Sequence, residues 1–302
     1  MIIPEALKEY DYRTNLIVDK NNPILIQKAW RDHFSGDRYW KNVKKGGKAY
    51  LGVSNSEDAM TWNVFRSLQK EGKRGFQIIA DVFGLSRVEK ILFWGCDVET
   101  EGEEQQLLNI LIRTTDGQLT GTMTEPDMVF IAAKEVVFVE CKLNQSGGQS
   151  PWKAQNSSDN RESGAKKRMQ VYKNIKHVEY DKIITSEKLR FPNLAKIGGW
   201  QDIYQIIRQY IYASLLGDIL GKKPTVIPLI HGDHRNLLEP IYLTAKNNSA
   251  LGSGVLRDMV TWQDIKQKIS QADLECSPNL VKKMSEALRA SKMIKEILSE
   301  EE

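Results

Sequence analysis

Long apolar runs are missing from this chain. None approaches the ~18 residues that a membrane-spanning helix needs, so a membrane span is not expected. Cysteine is scarce: Cys96, Cys141 and Cys276 are far apart and odd in number. They form neither a disulfide framework nor a CxxC zinc pattern. The opening MIIPEALKEYDYR has no basic stretch followed by an apolar one, so no secretory signal is expected and a reducing, cytoplasmic setting is. No GxxxxGK[ST], GxGxxG or GxSxG element is present, which disfavours a nucleotide-driven motor, a dinucleotide enzyme or a serine hydrolase. No internal repeat is evident. What remains is 302 residues with 41% apolar and 27% charged side chains, enough for a substantial core and incompatible with a collagen-like or wholly disordered chain.

The formal net charge is only +4, but it is unevenly spread. Between Gln27 and Tyr50, seven basic residues (Lys28, Arg31, Arg38, Lys41, Lys44, Lys45, Lys48) face two acids, Asp32 and Asp37. Between Lys142 and Pro192, eleven basic residues face five acidic ones. Trp30, Trp40 and Trp152 lie in or beside these segments. Aromatics among Lys and Arg suit a nucleic-acid face, whereas the charges alone suit solvated loops equally well.

Periodicity predicts the elements. Residues 24–34 read as a short helix, with Ile26, Trp30 and Phe34 four apart. Ser54 or Ser56 caps a helix whose Trp62, Phe65 and Leu68 share a face and which Gly72 ends. Residues 77–85 suggest a second helix and 90–98 a strand. Residues 107–124, split at Asp116-Gly117, suggest a hairpin. Residues 127–131 and 136–143 read as strands, 200–220 as a helix striped by Ile203, Ile207, Tyr210, Ile211 and Leu215, and 225–230 as a strand. Helices at 261–270 and 279–298 close the chain. Residues 144–165 are polar and read as a loop. The whole predicts an α/β protein with a mixed central sheet flanked by helices.

The chemistry concentrates in Glu125-Pro126-Asp127 and Glu140-Cys141-Lys142. Alternation along a strand sends Glu140 and Lys142 to one face and Cys141 to the other. Asp127 begins the neighbouring strand, so twist at that end can unite its carboxylate with that of Glu140. Two such carboxylates, with the Cys141 backbone carbonyl, make a hard-oxygen site suited to Mg²⁺ or Mn²⁺. A lysine alongside can orient a water or neutralise charge developing on phosphorus, which suits hydrolysis of a phosphodiester. The competing reading is an internal Glu–Lys ion pair at a strand end.

These residues resemble the PD-(D/E)xK nucleases, the restriction-endonuclease-like superfamily. The resemblance spans about residues 50–245 and implies an αβββαβ core with extra N- and C-terminal helices. It treats 1–302 as one nuclease domain with a polar, basic insertion at about 144–195, a helical segment at 1–49 and another at 246–302. It implies metal ligands Asp127, Glu140 and the Cys141 carbonyl, with Lys142 catalytic. Glu57 resembles the acid of the first core helix and would join the metal site, with Asp58 as the other acid on that turn. Gln205, in YQIIRQY, resembles a helical residue pointing into the site, although its spacing to tyrosine departs from the RecB-type pattern. The implied activity is Mg²⁺-dependent endonucleolytic cleavage of DNA, with duplex the expected form, in restriction, phage defence or repair. Double-strand cleavage by one site per chain implies a homodimer or sequential nicking. A catalytically inactive nucleic-acid-binding or scaffold protein on the same fold is the alternative. His231-Gly232-Asp233-His234 is a weaker metal candidate because it lacks a third spaced ligand. The stripe Leu280, Met284, Leu288 and Ile294 suits a partner or the chain's own core.

Overall fold

The computed structural model describes residues 15–33, 51, 56–99, 102–115, 125–143, 204–235, 239, 243 and 252–300. The loop at 144–165, most of both basic segments, Trp40 and Trp152 lie outside them, as do the side chains of Trp30 and Ile294.

Helix α1 covers Pro23–His33. Helix α2, Glu57–Lys70, starts where Ser56 takes an extended conformation and its hydroxyl accepts the Ala59 N–H at 3.2 Å. Glu57 and Asp58 occupy the first turn, where the helix dipole favours acids. Every residue from Ala59 to Gln69 is buried, so this helix is enclosed rather than one-faced. Two of its polar members anchor it: Asn63 accepts the Ile17 N–H and donates to the Asn15 carbonyl, and Arg66 reaches Asp19 and Glu99. Helix α3 is Lys73–Phe83, ended by Gly84 in the left-handed conformation at φ 63°.

Strand β1 is Val88–Phe93 and β2 is Cys96–Asp97. The single strand expected over 90–98 is therefore a tight hairpin. Trp94 and Gly95, both at positive φ, form its two-residue turn. The hairpin expected over 107–124 is corrected more deeply: Glu103–Thr115 is helix α4. Acids at Glu103 and Glu104 fill its first turn, and Leu108 and Ile112, four apart, are buried in the core. The Asp116-Gly117 pair lies outside the described residues.

Strand β3 is Met128–Ala132 and β4 is Glu135–Lys142. Helix α5, Tyr204–Leu220, carries the chain across to β5, Lys223–Ile230. Strand β6, Val260–Thr261, leads into α6, Trp262–Gln271, through a Thr261–Asp264 capping box. Helix α7 is Ser277–Glu300. The sheet order is β2-β1-β3-β4-β5-β6. Pairings from β2 to β4 are antiparallel, and those from β4 to β6 are parallel. Helix α2, strands β1, β3 and β4, helix α5 and strand β5 thus give the αβββαβ succession.

Each sheet face buries its own core. Val137, Val139, Cys141 and Leu143 pack with α2, α3, α6 and α7, and Val136 and Phe138 pack with α4 and α5. Parity along β4 therefore puts Glu140 and Lys142 on the α5 face. On α7, Leu280, Met284 and Leu288 are buried in the chain's own core. Among the described residues, no helix is long and apolar enough to cross a membrane.

Candidate active site

The site lies where β3 starts and β4 ends. The β3–β4 register stops at Met128 opposite Val139, so Cys141 on β4 has passed the end of β3. Its N–H is claimed by a side chain instead: the Asp127 carboxylate accepts it through Oδ2 at 2.8 Å. Glu140, only 1% exposed, directs Oε1 to Lys142 Nζ at 2.7 Å. Its Oε2 accepts from Gln209 Nε2 at 2.8 Å. Lys142, 8% exposed, also stands 3.3 Å from Glu57 Oε1 and 3.8 Å from Asp127 Oδ2. One ammonium is thus shared by three carboxylates from two strands and a helix.

Glu57 reaches this point around the end of the sheet, since α2 packs on the opposite face. Its Oε2 accepts the Leu143 N–H at 2.8 Å, which anchors the carboxylate beside the lysine. Asp58 does not join the cluster through a contact with Lys142; its Oδ1 accepts from Trp94 Nε1 at 3.2 Å. The Lys142 carbonyl accepts the His231 N–H of β5's end at 3.0 Å and Trp262 Nε1 at 3.3 Å. Because backbone groups alternate between strand edges, the Cys141 carbonyl points the other way, toward the Asp127 side.

The electrostatics follow from this crowding. Burial raises the Asp127 carboxyl well above its ordinary range; the Glu140 charge adds to the rise and Lys142 opposes it. Burial also raises Glu57, against the pull of Lys142 and the Leu143 N–H. For Lys142, burial works to lower its affinity for a proton. Glu140, Glu57 and Asp127 together outweigh it, and the ammonium is held well above the usual lysine range. The Cys141 thiol is pushed far up, chiefly by burial, and faces the α2 core rather than the carboxylates.

The expected residues therefore divide clearly. Asp127, Glu140, Lys142 and Glu57 are brought together. Gln205 lies in the first turn of α5, and its side chain is outside the described residues. Gln209, one turn further on, meets Glu140. Periodicity could have flagged it, because residues four apart share a helix face. His231 and His234 are buried with rings 4.9 Å apart; His231 accepts the Asp233 N–H at Nδ1 and meets the Leu288 carbonyl at Nε2. Those contacts tie β5 to α7.

A divalent cation fits the donor chemistry of this cluster. Asp127 and Glu140 are hard oxygen donors near a common point, acidic groups outnumber the single lysine, and the buried Oε1 of Gln209 meets no donor among the described residues. Among the described residues, no group of three or more His, Cys, Asp or Glu side chains is arranged to hold a metal. The residues that would hold a cation are Asp127, Glu140 and the Cys141 carbonyl, with Glu57 beside them across Lys142.

The αβββαβ succession, with Pro126-Asp127 starting one strand and Glu140-Cys141-Lys142 ending the next, defines a PD-(D/E)xK, restriction-endonuclease-like protein. A family model described as Restriction Endonuclease associating with ARP matches residues 14–289, and the chain belongs to that family. The match takes in α6 and most of α7, which the resemblance over 50–245 does not reach. No curated protein and no solved structure matches the chain.

Proposed function

We propose that this chain is a divalent-cation-dependent endonuclease that hydrolyses phosphodiester bonds of duplex DNA. Restriction or phage defence is the favoured setting, with repair as the other. The observation that supports it is the convergence of Asp127, Glu140 and Lys142 at one end of the sheet. In this reading residues 1–302 form one nuclease domain, and a homodimer would deliver two cuts.

Asp127, Glu140 and the Cys141 carbonyl would hold Mg²⁺, or Mn²⁺ in its place. The ion, when bound, supplies Lewis-acid polarisation of the phosphate and lowers the pKa of its water. Lys142 orients the attacking water and offsets the charge that builds on the non-bridging oxygens. Glu57 holds the lysine in line by one oxygen while the other stays on the Leu143 N–H. Gln209 fixes the Glu140 carboxylate by donating to Oε2. The basic segments at 27–50 and 142–192 would carry the phosphate backbone, so binding would weaken steeply with salt.

The test is incubation with supercoiled plasmid, linear duplex, single-stranded DNA and RNA, each in Mg²⁺, Mn²⁺ or EDTA. Nicking or linearisation of duplex in either cation and none in EDTA is expected. Lys142→Ala and Asp127→Ala should abolish it. Full Mg²⁺-dependent cutting by both variants would remove the reading.

A further inference from the structure

The turn between β1 and β2 holds a residue out of keeping with its backbone. Trp94 sits at φ 50°, and Asp19 is the other non-glycine residue with positive φ among those described. Such turns favour Asn, Asp or Gly at this position, because a Cβ crowds the following carbonyl. A hairpin tip is also ordinarily solvated, yet Trp94 is only 2% exposed. Its surroundings explain how the conformation persists. The indole stacks on Trp62 of α2, with centroids 5.8 Å apart and planes 5° from parallel. Lys28 Nζ of α1 stands over the ring, 5.4 Å from its centroid. The indole N–H donates to Asp58 Oδ1 at 3.2 Å, and the backbone N–H donates to the Asp127 carbonyl at 3.2 Å.

These contacts join two arms of the active site. Asp127 supplies a carboxylate at the start of β3, and Asp58 adjoins Glu57, which grips Lys142 from the start of α2. We propose that Trp94 is a positioning residue, a wedge that sets the distance between the first turn of α2 and the start of β3 and so places Asp127 relative to Lys142. This rests on the nuclease reading of the same site. The stacked ring and the Asp58 bond oppose relaxation of the left-handed backbone. Without the bond, the turn relaxes toward negative φ and draws the Asp127 carbonyl, and with it the carboxylate, out of place. A displacement of this kind acts on the chemical step rather than on DNA binding.

Trp94→Phe keeps a stacking ring and deletes the indole donor; Asp58→Ala deletes the acceptor from the other side and serves if Trp94→Phe does not fold. For each, plasmid cleavage kinetics give kcat and KM, calorimetry with Mg²⁺ in the absence of DNA gives cation affinity, and circular dichroism confirms folding. Both variants are expected to lose on the order of tenfold to a hundredfold in kcat, with KM near the wild-type value and Mg²⁺ affinity reduced. The double variant should be no worse than the poorer single one, since both changes break one bond. Wild-type kcat and Mg²⁺ affinity in a folded variant, or losses that add in the double variant, would overturn the positioning role while leaving the nuclease reading intact. A wild-type chain that neither binds Mg²⁺ nor cuts would overturn both.

Discussion

Lys142 is the residue on which the site turns, and its position makes opposite demands on stability and chemistry. Three carboxylates share its ammonium, so its removal strands them together in a poorly solvated place. Asp127 presents the reverse case. Its carboxyl is raised well above the ordinary range by burial and by the Glu140 charge, so the folded chain retains a proton that the unfolded chain has released. Over that window, from roughly pH 4 upward, stability falls as pH rises. Asp127→Asn removes the charge while leaving an amide oxygen to accept the Cys141 N–H. The variant should therefore be more stable than wild type at neutral pH, by about 0.5–2 kcal/mol, and inactive toward DNA. Thermal melts between acid and neutral pH check this: the wild-type decline with rising pH should be flattened in the variant. A variant that melts below wild type at pH 7 would show that Asp127 is not electrostatically strained. Asp127, Glu140 and Lys142 were legible in the sequence because charges at the end of the apolar run VVFVECKL need a reason. The Asp58–Trp94 bond was not, because it depends on a hairpin turn that breaks what read as one strand.

At the scale of elements, the start of α2 decides where Glu57 points. Ser56 is fully buried and accepts the Ala59 N–H, fixing the first turn from which Glu57 reaches Leu143 and Lys142. Ser56→Ala should cost about 1 kcal/mol, as loss of an N-cap commonly does. It should also lower the cleavage rate at saturating DNA, because the frayed turn is the one that holds the lysine. Urea melts and rate measurements on the same preparation separate the two effects. The crossing of α2 and α3 is tighter still. A Cβ at Gly75 would meet the Leu68 carbonyl oxygen at 1.8 Å, which backbone cannot absorb without movement. Gly75→Ala is expected to destabilise by about 2–3 kcal/mol or more, read as a lower midpoint in urea. The elements themselves were largely readable where one rule dominates: the cap at Ser56, the strand parity of 136–143, the long helix after 200. Helix α4 was misread although Leu107, Leu108, Leu111 and Ile112 lie on one face of a helix. The four-residue spacing of those side chains and the acids at Glu103 and Glu104 are helical signals, which the turn pair Asp116-Gly117 outweighed in the reading.

For the whole molecule, the two C-terminal helices brace the end of β4 rather than forming an appendage. Trp262, the first residue of α6, is fully buried and gives its indole N–H to the Lys142 carbonyl. His231, beside it, gives its backbone N–H to the same oxygen and joins α7 through the Leu288 carbonyl. The end of β4 is therefore held on one side by Asp127 and Glu57 and on the other by His231 and by Trp262, the latter 120 positions away in sequence. Such long-range support has no local signature; the apolar stripe of α7 announced a buried face but not its target. Trp262→Phe tests the arrangement, since phenylalanine keeps most of the core ring and removes only the donor. The Lys142 carbonyl retains the His231 N–H, so the expected loss of stability is about 1–2 kcal/mol from the missing bond and the smaller ring. Cleavage should fall by more than that loss of stability explains, because the β4 end moves relative to Glu57 while the fold persists. Urea melts give the first quantity and initial rates of plasmid nicking, at a temperature where both proteins are fully folded, give the second. Equal rates there would mean that Asp127 and Glu57 alone hold Lys142 in place and that α6 serves only the core.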